Sequence, residues 1–237
     1  TDTGSSASND DSSNASYSGV NWATGGTAAI VVAKTNPFAD GSYDTCVLTE
    51  RTTEGPCYSD TLAREDISEG LDGLPVQLCL KVVDSSCNPI EGALVDIWHC
   101  DTAGIYSGDG MQAVNFCTGG SAEHIANDYY RGTQTTDADG LVYFQTCFPG
   151  WYASRAEHIH FTVTANGSTT VTSQFGFSDA LTDEILQQEP IYADRGIADT
   201  HNYDDTVFPS TGYEQYLLNT QKQSDGSMLA WKAIMLA

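Results

Sequence analysis

Cationic side chains are scarce in this chain of 237 residues: Lys and Arg together number 9, against 32 Asp and Glu, for a formal net charge of -23. A field of that sign repels phosphate backbones, which excludes nucleic acid as a partner and disfavours an anionic membrane surface. The surplus acid reads as solubility in a salty or extracellular setting. Long apolar runs are also missing. The longest, Ala28 to Ala33, has six residues, far short of the roughly 18 that a membrane-spanning helix requires. No CxxC or CxxH pair suggests a zinc site, and no HExxH stretch supplies a zinc hydrolase.

What is present fits a globular protein. Apolar residues make up 40%, and the length suffices to bury a core in one domain. Seven cysteines, at 46, 57, 79, 87, 100, 117 and 147, are too many for a typical cytosolic enzyme and point to disulfides in an oxidising compartment. The odd count leaves at least one thiol unpaired within the chain, and the connectivity stays open. The polar opening at Thr1 reads as a mature form whose leader has been removed, so a secreted, periplasmic or cell-surface location is expected.

Residues 1–19 form a Ser/Asp/Asn stretch too polar to pack, expected to be a flexible tail. Asn14-Ala15-Ser16 and Asn166-Gly167-Ser168 are glycosylation sequons. From residue 74 onward strand patterns dominate. Val76, Leu78, Leu80 and Val82 alternate, a turn follows at Asp84–Gly92, and Ala93, Val95 and Ile97 alternate again, which predicts a hairpin. Further strands are expected at Leu141–Thr146, His158–Thr164 and Thr169–Phe177, with turns at Asp137–Gly140 and Ala165–Ser168. Two short helices are predicted, Leu181–Gln188 halted by Pro190, and about Gly212 to Asn219 with a Thr211/Glu214 capping box. Met228–Leu236 returns as a final strand. With no internal repeat, residues 20–237 are read as a single all-β domain, an antiparallel β-sandwich with long loops and a few short helices.

His158-Ile159-His160-Phe161 carries chemistry. On a strand, residues i and i+2 share a face, so two imidazoles point together while Ile159 and Phe161 face the other way. That is a metal-ligand spacing, although HxH also occurs by chance. It ends a longer segment, Pro149 to Phe161, with Tyr152 and Arg155, and other segments accompany it: Thr53-Glu54-Gly55-Pro56, the stretch from Val83 to Tyr106 with Ile97-Trp98-His99, and Arg131 to Gly140. Gln174 to Phe177 closes the series.

In order and spacing these motifs resemble the intradiol ring-cleavage dioxygenases, non-haem iron(III) enzymes that open catechols between the two hydroxyls. The resemblance covers roughly residues 46–210. It implies four metal ligands, Tyr106, Tyr152, His158 and His160, around Fe(III). The donor chemistry agrees: iron(III) is a hard cation, phenolate is a hard anionic donor, and the metal charge ionises the tyrosines. Arg155 falls at the family position of an arginine that stabilises negative charge developing on the substrate; the plainer reading is a salt bridge in a very acidic protein. Gln174 matches a glutamine near the iron, Gly55 and Pro56 a loop bordering the substrate pocket, and Ile105 a pocket-lining position. His99 reads as structural, and His124 and His201 as surface or loop residues. The implied reaction takes a small aromatic diol and O2 to a cis,cis-muconate, with Tyr152 both ligand and general base.

Cytosolic members carry a helical N-terminal dimerisation segment, whereas this chain has a Ser/Asp stretch and extra cysteines. Both features look like the exported, single-domain branch, and a monomer is expected. Cys57 stands where an aromatic often follows TEGP; it either alters the pocket rim or is tied off in a disulfide. The net charge favours a neutral catechol, or an aromatic fragment of plant or lignin origin, over a carboxylated one. Two competing readings are a non-enzymatic secreted β-sandwich binding module that kept the fold, and a zinc hydrolase using HxH.

Overall fold

The computed structural model describes residues 19–41 and 47–237. Strands β1 (Pro75–Val83), β4 (Leu141–Cys147), β7 (Asn219–Lys222) and β8 (Met228–Met235) form one sheet, in the order β4-β1-β8-β7. Strands β2 (Leu94–Trp98), β3 (Arg131–Thr135), β5 (His158–Ala165) and β6 (Ser168–Gly176) form the other, in the order β3-β2-β5-β6. Every pairing between these strands is antiparallel except that of β1 with β8. Helices are short: α1 (Val114–Cys117), α2 (Ala122–Ile125), α3 (Asp179–Gln188) and α4 (Pro190–Ala193). The architecture is the expected β-sandwich.

Alternation builds the core. Val76, Leu78, Leu80 and Val82 of β1 meet Val95 and Ile97 of β2, and Ile159, Phe161 and Val163 of β5, in one apolar layer. Each such side chain contributes about 1.5–3 kcal/mol by leaving water. β1 is buried on both faces, because Phe38 packs with Cys79 and Leu141 on its outer side. His158 and His160, out of phase with Ile159 and Phe161, therefore stand on the outer face of the second sheet. They are nonetheless buried, under the long β2–β3 connection, the β4–β5 connection and residues 50–60.

The β5–β6 hairpin turns at Asn166 and Gly167, both with positive φ (53° and 75°), which suits the tight primed turn that Asn-Gly favours. Asn166 of the second sequon is exposed there. The expected hairpin of β1 with β2 is not formed. The strands lie in opposite sheets, and after the turn at Asp84 the chain is captured by β3, where Gly92 and Ala93 donate to the carbonyl and hydroxyl of Thr136. Alternating apolar faces suit face-to-face packing as well as in-plane pairing, so the pattern alone did not separate the two. The helix expected from Gly212 to Asn219 is reduced to one 3-10 turn, Tyr213–Tyr216, with Gly212 in the left-handed region and no side-chain cap. Leu217 and Leu218 are instead drawn into extended pairing at Gly176, leading into β7. Pro190 ends α3 as expected but also opens α4, at whose first turn its missing N–H costs nothing. All but the last residue of the expected N-terminal tail, and the Asn14 sequon, lie outside the described residues.

Candidate active site

Each donor side chain is placed by a different device. His158 and His160 come from β5, two strand positions apart on one face. Tyr106 comes from the β2–β3 connection, where Asp101 accepts from the amides of Ala103 and Ile105 and shapes the loop. The Tyr106 amide donates to the Cys117 carbonyl at 2.8 Å. Tyr152 comes from the β4–β5 connection, in a tight turn closed by the Arg155 amide on the Tyr152 carbonyl. The two tyrosine loops touch at Gly104, whose φ is +80°; a Cβ there would sit 2.2 Å from the Trp151 carbonyl oxygen, so only glycine lets them cross.

The four polar ends converge. The Tyr152 hydroxyl lies 2.9 Å from His158 Nε2, and the Tyr106 hydroxyl 3.3 Å from the same atom and 3.4 Å from the Tyr152 hydroxyl. His160 Nε2 is 3.1 Å from His158 Nε2. His158 Nδ1 donates to the Ala156 carbonyl at 2.6 Å, which leaves Nε2 as a lone-pair donor facing the cluster. Among the described residues His160 Nδ1 has no hydrogen-bond partner. Burial pushes the Tyr152 phenol up to about 12, opposed by Arg155, and lifts Tyr106 well above its ordinary value. Burial, then Arg155, holds both imidazoles well below theirs. Burial thus favours the neutral form of all four groups, whose polar atoms face one another.

That donor set fits a first-row metal ion. Atoms bound about 2.1 Å from one centre lie about 3.0–3.4 Å apart, close to the separations seen here. Among the described residues no three His, Cys, Asp or Glu side chains are grouped to hold a metal; here phenols complete the histidine pair, a combination that suits a hard trivalent cation.

Arg155 stands beside the donors. Its Nη1 is 3.3 Å from His158 Nε2, its Nη2 donates to Gln174 Oε1, and its Nε donates to Asp205 Oδ2 at 2.9 Å. The salt-bridge and active-site readings of Arg155 therefore coexist in one geometry. Gln174 is the cross-strand neighbour of His160, and its amide donates to the Thr53 carbonyl at 2.9 Å. Of the three rim residues, Gly55 reaches the site, since a Cβ there would lie 3.3 Å from His160 Cε1. Pro56 is exposed and Ile105 half-buried on the flanking loops. His99, His124 and His201 lie apart, bonded respectively to Cys100 and Thr146, to Tyr129, and to Asp183.

Two features escaped the sequence reading, and one alternative it left open is now decided. Trp98 stacks on His160 with ring centres 5.0 Å apart and planes 11° from parallel; the register opposing Trp98 to His160 was the missing information. Asp205 is 50 positions from Arg155. Cys57 is bonded to Cys117, so it is tied off rather than left on the rim. Cys87 is also disulfide-bonded, whereas Cys79, Cys100 and Cys147 are free and buried.

The chain is similar to known dioxygenases. The family model described as "Dioxygenase" matches residues 53–215. Catechol 1,2-dioxygenase 1 of Acinetobacter lwoffii is 27% identical over 171 residues, covering 62% of this chain and 51% of its own. Chlorocatechol 1,2-dioxygenase of Cupriavidus pinatubonensis is 28% identical over 157 residues, covering 55% and 56%. The chain thus spans about half the length of these curated relatives. The solved structure of an intradiol ring-cleavage dioxygenase from Tetranychus urticae superposes with a TM-score of 0.70 at 29% identity, covering 81% of this chain and 94% of that one. With the matched span holding both tyrosines, both histidines, Arg155 and Gln174, the chain belongs to the intradiol ring-cleavage dioxygenase family.

Proposed function

We propose that this chain is an Fe(III)-dependent dioxygenase that cleaves a neutral catechol between its hydroxyls with O2, giving a cis,cis-muconate, and that it works as an exported monomer. The observation that carries the reading is the convergence of two phenol oxygens and two imidazole nitrogens beside a buried guanidinium. Tyr106, Tyr152, His158 and His160 would hold the iron. When bound, Fe(III) supplies the Lewis acidity that ionises the phenols and activates a catecholate toward O2.

The protein's own part is positional and electrostatic. Tyr152 Oη, the less buried phenol, receives a proton from a substrate hydroxyl, which makes it a general base. Arg155 Nη1, on a buried side chain, stabilises negative charge developing on the ring. Gln174 holds that guanidinium through Nη2, and Trp98 holds the His160 ring flat. A neutral substrate is favoured because the arginines around the site are engaged: Arg155 by Asp205 and Gln174, Arg131 by the carbonyls of Ser107 and Cys57, and Arg195 over the Trp151 ring. Export is favoured by the disulfides, which persist in oxidising compartments.

The test is a visible spectrum of the purified protein with metal analysis, followed by O2 uptake on catechol and on protocatechuate. A burgundy, iron-containing protein that consumes O2 with catechol is the expected outcome. A colourless protein without O2 uptake supports a binding module instead, and zinc in place of iron a hydrolase. Faster turnover of protocatechuate overturns the neutral-substrate preference.

A further inference from the structure

The carboxylate of Asp205 is fully buried and spends every acceptor position on local order. Oδ2 accepts from Arg155 Nε at 2.9 Å and from the Ala156 amide at 2.8 Å. Oδ1 accepts from the amides of Val207 at 2.7 Å and Phe208 at 2.8 Å. An arginine that meets a carboxylate through two nitrogens is turned to face it. Here only Nε goes to Asp205 while Nη2 goes to Gln174, so Nη1 is the corner presented to His158 Nε2. The Phe208 ring, 5.9 Å from the guanidinium carbon, closes the remaining side. The anchored Ala156 residue acts a second time, because its carbonyl accepts from His158 Nδ1 and so selects which imidazole nitrogen faces the cluster.

We infer that Asp205 is a positioning residue that aims Arg155 Nη1 at the reaction centre and, through Ala156, sets the tautomer of His158. The inference rests on the proposed function for its catalytic consequence, but the geometry it asserts is testable without turnover. A carboxylate merely neutralising a surface arginine would be exposed and dispensable; this one is inaccessible and ties residues 155–158 to a loop 50 positions away.

The experiment compares the full chain with its Asp205→Asn, Asp205→Glu and Arg155→Ala variants. In nitrogen-detected NMR of the iron-free protein, the Arg155 Nε–H, identified by its loss in Arg155→Ala, is expected to be protected from exchange. Asp205→Asn abolishes that protection and mixes the His158 tautomers. In the iron-loaded protein, Asp205→Asn lowers kcat for catechol about 10- to 100-fold with little change in KM, the scale of a misplaced catalytic group. Asp205→Glu, which keeps the charge and folds if Asn does not, gives a smaller loss of kcat in the same direction. Adding Asp205→Asn to Arg155→Ala lowers kcat little further, since residues acting as one unit are not additive. Retained Nε–H protection in Asp205→Asn, a kcat that falls only in proportion to lost folded protein, or full additivity with Arg155→Ala overturns the inference. If the wild-type chain consumes no O2, the proposed function fails, and the NMR comparison still decides the positioning role.

Discussion

Replacing Cys57 and Cys117 together by Ala removes a bond that closes a loop of 60 residues. In the chain-entropy account, a cross-link over that separation removes about 4 kcal/mol worth of freedom from the unfolded ensemble at 25 °C. Both side chains are buried, so some packing is lost as well. Equilibrium unfolding in urea measures the effect, with the disulfide at Cys87 left intact in both proteins. The midpoint is expected to drop by about 1.5 M, given a denaturant slope of about 2–3 kcal/mol per M. A second readout follows from the Cys117 carbonyl, which holds the Tyr106 amide, and the Cys57 carbonyl, which holds Arg131. The folded double variant should release iron to a chelator faster than the parent. A stability loss below about 1 kcal/mol, with unchanged iron release, would refute the view that this bond braces the tyrosine loop.

Other perturbations probe separate parts of the molecule. Tyr152→Phe should keep iron and lose about 10²- to 10⁴-fold in turnover, measured by O2 uptake; unchanged turnover removes Tyr152 from the ligand set. Gly55→Ala imposes φ +76° on a residue with a Cβ and crowds His160 Cε1, so iron content after dialysis should fall, with a stability loss of about 1–2 kcal/mol. Asp96, lying under Tyr58, is pushed up by burial from its ordinary 3.8 to about 6. The fold therefore retains a proton that the unfolded chain releases, and this group's contribution makes stability decline as pH rises from about 4 to 6. The full effect is at most about 3 kcal/mol. Asp96→Asn should flatten that slope, as read from urea midpoints at pH 4 and pH 7; an unchanged slope rejects the assignment.

Local chemistry made part of this protein legible from its residues. The two-residue period placed His158 and His160 opposite Ile159 and Phe161, and Ala165–Ser168 marked the turn between β5 and β6. What sequence could not supply was information that exists only once distant segments meet. The apolar alternation of β1 and β2 satisfied a shared core without pairing the strands. The extended path of Leu217 and Leu218 overrode a capping signal at Thr211 because β6 offered backbone partners. Cys57 had six possible mates within the chain, and Asp205 was one acid among 32 Asp and Glu. Trp98 read as part of a motif, yet its work as the platform under His160 depends on cross-strand register.

The parallel pairing of β1 with β8 carries a consequence for biosynthesis. β8 lies between β1 and β7, and its Met228 sits beside Val76. A nascent chain that has emerged only through β6 holds β1 with one flank of backbone donors and acceptors unmatched, the kind of edge that recruits other chains. Closing the sheet waits for residues near 235 to clear the ribosome, and joining such remote segments is slow. The polypeptide is thus predisposed to lean on chaperones, and truncation within β8 should yield aggregates rather than a smaller folded protein.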